Sequence, residues 1–364
     1  MAARMSTATL GAVLAVGIAL SGAIAAPAAA APAPTAAGPV AAAKTAPSLT
    51  VTKKTTSTTT KPFPLTTTSR MPVLKGATAK NRALVTKNAK ALLAAERSMV
   101  ASWRESCGGS APSSITVTNV SKAVYKKRYA SVTMVFDSDA GCDGVTQQSA
   151  RSFTLDLKTG KKVKLSKFMA PKAAATRAAI VTALHEQNPK CVDDQLTAYA
   201  GDPRSLPATP AGWTVSSKGV RVWFNRYEVA PGACGAVSAL VPWRDVASSA
   251  QLKGKRTSRV YVSDLKKVGS IYTGSITVLS VQGKHVARLD GWLYSEAYCT
   301  LGVRTGKKVR GFLPGGGIRH NFTLAGTTKK PTLKLGKSWR LATSKELAAF
   351  KKGGVPVDAI KACA

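Results

Sequence analysis

Apolar residues fall into three regimes along this chain. They run almost unbroken from Leu10 to Ile24, nearly vanish as large side chains between residues 31 and 70, and recur with a regular period from Met71 onward. In the third regime Ala89, Leu92, Leu93, Met99 and Trp103 stand at helical spacing, predicting a helix over about 82–105 that Cys107-Gly108-Gly109 stops. Alternation then takes over. Ile115 to Val120 reads as a strand, and in Tyr129 to Phe136 the residues Ala130, Val132, Met134 and Phe136 share one face, with Ser131 and Thr133 on the other. Phe153–Leu157 and Lys161–Leu165 flank a Thr159-Gly160 turn as a hairpin. A second helix follows Pro171, with Ala175, Ile180 and Leu184 on one side and Pro189 limiting its end. Trp213–Val215 and Val220–Phe224 form a further hairpin about Lys218-Gly219, and Ala236–Val241 is the last strand before Trp243. Helix, strands, helix, strands over 71–250 predicts an α+β domain with an antiparallel sheet.

The basic cluster Lys253, Lys255, Arg256 and Arg259 marks the expected boundary to a second module over 255–364. Its segments are short, alternating and separated by Gly-rich turns: 260–262, 275–281, 285–293, 303–312 and 321–324. That predicts a small, mostly-β module, sheet or barrel, closed by a helical turn over Leu347–Lys352.

Composition changes the picture at the N-terminus. Arg4, the short apolar run and the small residues at Ala28 and Ala30 have the three parts of a secretory signal peptide, expected over 1–30. Residues 31–70, rich in Ala, Pro, Thr and Lys, are expected to be a disordered linker. Net charge is +36, and residues 251–364 alone carry 22 basic and 5 acidic side chains, so the excess is spread through folded sequence. Cys107, Cys142, Cys191, Cys234, Cys299 and Cys363 are widely spaced, without a C-x-x-C motif or a His at zinc spacing. In an oxidising compartment they read as three disulfides. Spacing alone does not choose the pairing. Keeping each bridge inside one proposed domain favours Cys107–Cys142, Cys191–Cys234 and Cys299–Cys363.

Three segments carry a resemblance. They are Met71-Pro72-Val73-Leu74 with Asn88, then Phe153-Thr154-Leu155-Asp156-Leu157-Lys158-Thr159-Gly160-Lys161 with Leu165, and Phe224-Asn225-Arg226-Tyr227-Glu228-Val229-Ala230-Pro231-Gly232-Ala233-Cys234-Gly235 followed by Val241-Pro242-Trp243. On these, residues 71–250 resemble the extracellular domain family shared by the lysozyme-sensing anti-sigma-V factor, certain peptidoglycan deacetylases and a secreted mycobacterial antigen. The resemblance implies a β-grasp-like α+β fold and brings no activity. In the deacetylases the chemistry lies in a separate domain with Asp/His metal ligands, and nothing in this chain resembles it. Lysozyme recognition is the family's best-known binding role, but animal lysozymes are basic, and a partner at +36 meets like-charge repulsion on approach. Two positions depart from the family pattern: Arg226 stands where Pro is frequent, and Cys234 where a small residue is usual. The second departure suggests that a bridge to Cys191 anchors this loop.

Catalytic chemistry finds little purchase. His185-Glu186 opens like a zinc-protease motif, but Pro189 occupies the second His position. His285 and His320 are isolated in sequence, and no nucleophile motif accompanies them. Asp137, Asp139 and Asp143 share a loop that lacks the Gly and Glu of a calcium site and reads as a turn. No metal or cofactor is expected. Tyr227 and Glu228 are the candidate ligand-binding pair of the first domain, with the alternative that Tyr227 packs and Glu228 satisfies backbone donors. In the second module Trp292, Tyr294 and Tyr298 fall at even spacing, on one face if the strand is continuous. Exposed, such a row suits sugar rings or an anionic glycan; core packing is the commoner fate of aromatics in small β modules. The expected function is that of a secreted, non-catalytic protein associating with the cell wall or another anionic glycan surface. A secreted binder or inhibitor of a protein such as a muramidase is the alternative, and a hydrolase in the second module a third. Nucleic acid is not an expected partner outside the cell.

Overall fold

The computed structural model describes residues 46–364 apart from 143, 145, 193–205, 296, 314–317, 328 and 364. The expected signal peptide and the first part of the expected linker lie outside them. The rest of that linker is ordered. Strands β1 (Ser48–Val51), β2 (Thr55–Thr59), β3 (Leu65–Ser69) and β4 (Pro72–Lys75) occupy it and its border. Composition had pointed to disorder because large apolar residues are scarce, but threonine is β-branched and suits a pleated surface. Thr56 and Thr68 pair their hydroxyls across β2 and β3 at 3.2 Å, and Leu65, Thr67 and Thr68 are buried.

Helix α1 (Ala79–Cys107) follows, capped by the Thr78 side chain accepting from the Asn81 backbone N–H at 3.2 Å. Gly108, at φ 65°, ends it in the left-handed conformation that glycine adopts without a Cβ penalty. The helix carries the chain over to β5 (Ser113–Tyr125), which runs parallel to β3. β6 (Tyr129–Asp139) and β7 (Gln147–Asp156) complete a sheet in the order β2-β3-β5-β6-β7. The hairpin expected after Phe153 loses its second arm: only Leu155 bridges Lys162, and Leu165–Lys167 is a 3-10 turn.

Alternation along β6 matches the reading of its apolar face. Ala130, Val132, Met134 and Phe136 pack towards α1 with Val85, Ala89 and Val100. The opposite face is buried too. It meets a three-stranded sheet of β8 (Gly212–Val215), β9 (Gly219–Phe224) and β10 (Val237–Pro242). Hydroxyls serve there because each finds a partner: Ser131 Oγ lies 2.7 Å from Thr154 Oγ1 and accepts from the Val215 N–H at 3.1 Å.

Helix α2 (Ala174–Gln187) lies between that small sheet and a second one. β11 (Thr257–Val268), β12 (Ile271–Gln282), β13 (His285–Trp292), β14 (Ala297–Thr305) and β15 (Lys308–Leu313) form an antiparallel meander. Short pieces β16 (Ile318–Arg319) and β17 (Phe322–Thr323) pair with β15, β18 (Ala325–Gly326) pairs with β19 (Pro331–Thr332), and β20 (Arg340–Leu341) pairs with β11. The meander is an open sheet. Helices α3 (Ser344–Lys352) and α4 (Ala359–Ala362) follow, α3 opened by a capping box between Thr343 and Glu346. The fold is thus α+β, with antiparallel sheets dominating and a strand-rich C-terminal part.

Residue 250 does not divide the core. One apolar cluster runs from Tyr129 through α2 (Ile180, Val181, Leu184) and β9 (Val220, Val222, Phe224) into β13–β15 (Leu289, Leu301, Val303, Phe312). The expected boundary between the two modules is therefore crossed by one apolar cluster. Because α2 is covered on both sides, every residue from Ala175 to Leu184 except Arg177 is buried. The three disulfides are Cys107–Cys142, Cys191–Cys234 and Cys299–Cys363, the pairing favoured from sequence.

His285, on the inner face of the C-terminal sheet, is buried and its Nε2 has no hydrogen-bond partner. Burial pushes its pKa down from 6.5 to about 4, helped by Arg256 and opposed by Asp358. Between those two values the unfolded chain binds a proton that the folded chain refuses, so stability falls as pH drops through the window. The full effect is about 3 kcal/mol below pH 4. Denaturant unfolding of the wild type and His285→Leu at pH 7.5 and 4.5 checks this: the variant loses less stability on acidification.

Candidate functional site

The inner face of the C-terminal sheet is core; its outer face is only half covered. Tyr261, Leu279, Val281, Val286 and Val309 project outward and are roofed by Phe322, Leu324, Leu333, Leu335 and Trp339 from the segment after β15. Beyond the edge of that roof the same face opens into a groove of about 550 Å³. Cross-strand register sets its floor. Thr277 pairs with Asp290, and Asp290 with Tyr298, so these three side chains stand in one row across β12, β13 and β14.

Polar groups on the floor are fixed by one another. Asp290 Oδ1 accepts from Thr277 Oγ1 at 2.7 Å and from Arg288 Nε at 2.9 Å, and Oδ2 lies 2.8 Å from the same Nε. The Arg288 guanidinium lies over the Phe322 ring at 5.7 Å. At the other end Thr300 Oγ1 and His320 Nδ1 are 2.8 Å apart. His320 reaches the groove because its backbone crosses β15 at Gly311: the His320 N–H donates to Gly311 O at 2.8 Å, and a Cβ on Gly311 would meet His320 O at 2.2 Å. Tyr298 and Trp339 supply aromatic walls, and Leu313 and Leu335 apolar ones. A few oriented polar groups thus stand between aromatic faces in one groove.

The aromatic row expected from even spacing is redistributed. β13 ends at Trp292 and β14 begins at Ala297, so a turn interrupts it. Core packing does not occur: Trp292, Tyr294 and Tyr298 are 55%, 48% and 68% exposed. Tyr298 lines the groove. Trp292 shares its face, two residues beyond Asp290 on β13. Tyr294, at φ 63°, turns to Gly353 after α3, where a Cβ would lie 2.6 Å from its Oη.

Tyr227 and Glu228 sit elsewhere, in the turn after β9. The Glu228 carboxylate accepts from the Asn225 N–H at 2.7 Å and from Asn225 Nδ2 at 3.0 Å. Its oxygens are engaged in closing that turn. Tyr227 is exposed and left-handed at φ 67°, with its ring against Gly232 and the Arg226 guanidinium over it at 5.0 Å. Arg226 also donates to Gly232 O at 2.8 Å and to Thr146 O. Cys234, bridged to Cys191, pins the far end of the loop.

Two charged groups, one buried and one half-buried, escaped the reading of the sequence. Glu96, in the middle of α1, accepts from Ser138 Oγ at 2.8 Å, Ser149 Oγ at 2.8 Å and Arg151 Nε at 2.6 Å. Arg319 donates to Glu186 through Nε at 2.7 Å and Nη2 at 2.9 Å, and to buried Asp245 through Nη1 at 2.8 Å. Those partners hold the guanidinium pKa above its ordinary value, Glu186 contributing most. The side chains concerned are far apart in sequence, and only the fold brings them together.

The turn holding Tyr227 and Glu228 lies inside a recognised segment. Residues 163–244 match a family of proteins of unknown function, DUF3298. The DUF3298 segment takes in α2, β8, β9, β10, the Phe224–Gly235 motif and Val241-Pro242-Trp243. It is narrower than the 71–250 resemblance and excludes the groove. Similar solved structures include a DUF3298 protein from Bacteroides fragilis, 15% identical, with 54% of this chain and 90% of that one covered at a TM-score of 0.35. A DUF3298 protein from Pseudomonas aeruginosa is 14% identical, with 54% and 92% covered at a TM-score of 0.38. No curated protein matches the chain.

Proposed function

We propose that the protein is secreted and associates, without catalysis, with the cell envelope through a glycan held in the groove of the C-terminal sheet. The observation that carries this reading is the convergence of Tyr298 and Trp339 on a floor of Thr277, Arg288, Asp290 and His320. A pyranose ring stacked on the aromatics sets its hydroxyls towards oxygen acceptors that are already immobile. Arg288 favours a carboxylated or phosphorylated sugar. Supporting a life outside the cytoplasm are the three disulfides. Among the described residues no helix is long and apolar enough to cross a membrane. Supporting a non-catalytic role, the carboxylates of Asp290, Glu346 and Asp358 are each ion-paired to arginine.

The test is retention of the mature protein on purified cell walls at low and high salt. Wild type binds and elutes as salt rises, because Lys and Arg contacts to polyanion are screened beyond about 8 Å at physiological ionic strength. Tyr298→Ala, a surface change, keeps the melting temperature and loses about tenfold in affinity, equivalent to one stacked ring. Unchanged retention of that variant removes the groove as the site.

A further inference from the structure

Among the described residues nine large apolar side chains are exposed, and four of them, Val268, Ile271, Trp292 and Tyr294, gather at one end of the C-terminal sheet, beside the groove. Val268 and Ile271 face each other across the Gly269-Ser270 turn that joins β11 to β12. On β12, Ile271 shares a face with Ser275, which pairs with Trp292, so the hairpin tip and Trp292 present the same side of the sheet. The tip stands about 13 Å beyond Trp292, four residues of strand away.

Lysines ring this apolar end. Lys266 and Lys267 directly precede Val268, opposite Thr273 and Tyr272. Tyr272 packs edge-on against Phe350 at 5.8 Å, and Tyr294 lies against Gly353, so both ends of the hairpin region are tied to the last turn of α3, which carries exposed Lys351 and Lys352. Asp264, at the bulge of β11, is bound by Ser263 Oγ at 2.9 Å, and Glu346 at the other end of α3 is paired with Arg340.

We propose that this end of the molecule seats on an anionic lipid surface. Two aliphatic side chains on a narrow tip offer no hydrogen bond to a glycan and too little area for a protein interface, whereas they suit the acyl boundary of a bilayer. Trp and Tyr set back from such a tip suit the headgroup layer, and lysines beside it suit anionic headgroups. An oblique approach of the outer face brings Val268 and Ile271 deepest, with Trp292 and Tyr294 at headgroup level and Lys266 and Lys267 above the anionic surface. The groove faces the same side, so a chain held at the membrane presents it to glycan anchored there.

The experiment is co-sedimentation of the mature protein with vesicles of phosphatidylcholine alone and of phosphatidylcholine with phosphatidylglycerol. Wild type sediments with the anionic vesicles and not with the neutral ones, and rising salt releases it. Val268→Ser with Ile271→Ser lowers the affinity for anionic vesicles about tenfold, and Lys266→Glu with Lys267→Glu abolishes binding at the same lipid concentration. Tyr298→Ala binds vesicles as wild type does, which separates this surface from the sugar site. Because the tip is exposed, the serine variant melts with wild type. Equal binding of wild type and the serine variant overturns the proposal, since the net charge alone then accounts for attraction. Binding to neither kind of vesicle overturns it as well.

Discussion

Replacing Phe312 by Ala is expected to lower the unfolding free energy by about 4 kcal/mol, and to do so for both halves of the chain at once. Phe312 is fully buried on the inner face of β15, in the cluster that contains α2 and β9. Its ring also carries the Arg319 guanidinium at 5.5 Å. The cost combines lost transfer energy with a cavity that surrounding strands close only in part. If residues 71–250 and 255–364 had separate cores, the damage would stay in the second. With a continuous core, one cooperative transition shifts as a whole. Tryptophan emission, weighted by Trp103, Trp213, Trp223 and Trp243 in the first half, and exchange of the backbone amides of β12 and β13 should report the same midpoint in the variant. Two midpoints would contradict the shared core.

Arg319→Met is expected to cost about 4 kcal/mol for a different reason. Asp245 is 1% exposed, and its other described cationic neighbour, Arg244, stands at 3.9 Å on a largely exposed side chain. Deleting the guanidinium strands a carboxylate away from water. A second substitution separates this from lost packing. Adding Asp245→Asn recovers most of the loss, since a neutral amide needs no counter-ion. If the double variant is as unstable as the single one, the ion pair is not what holds β16 to the end of α2.

What could be read beforehand follows from how local each signal is. The α1 boundaries, the inward face of β6 and the hairpin of β8 and β9 rest on neighbours a few residues apart, and periodicity finds them. Cysteine pairing was legible only in part: keeping each bridge inside a proposed domain fixes Cys299–Cys363 but leaves three ways to join the other four, of which Cys107–Cys142 with Cys191–Cys234 is the one found. The threonine strands β2 and β3 were missed because their stabilisation comes from β5, more than 40 residues away, and from hydroxyl pairs that hydropathy ignores. α2 was taken as one-sided, since a helix covered on two flanks gives no stripe to orient it. The groove was legible at one residue in six: Tyr298 attracts attention as an aromatic, while Thr277, Arg288, Asp290, His320 and Trp339 are unremarkable until register and the Gly311 crossing assemble them. Even there the expected packing of the aromatics was reversed, because the interior of the sheet was filled from its other face by α2.

That two-sided coverage of α2 reaches beyond this molecule. A protein containing only a counterpart of the 163–244 stretch would leave one flank of the helix bare, a strip of alanine, isoleucine and valine facing water. Such relatives must either borrow a different layer or carry charged residues along that flank. Scoring the helix for a polar strip therefore sorts family members by whether they own a second sheet, without any of their structures being known.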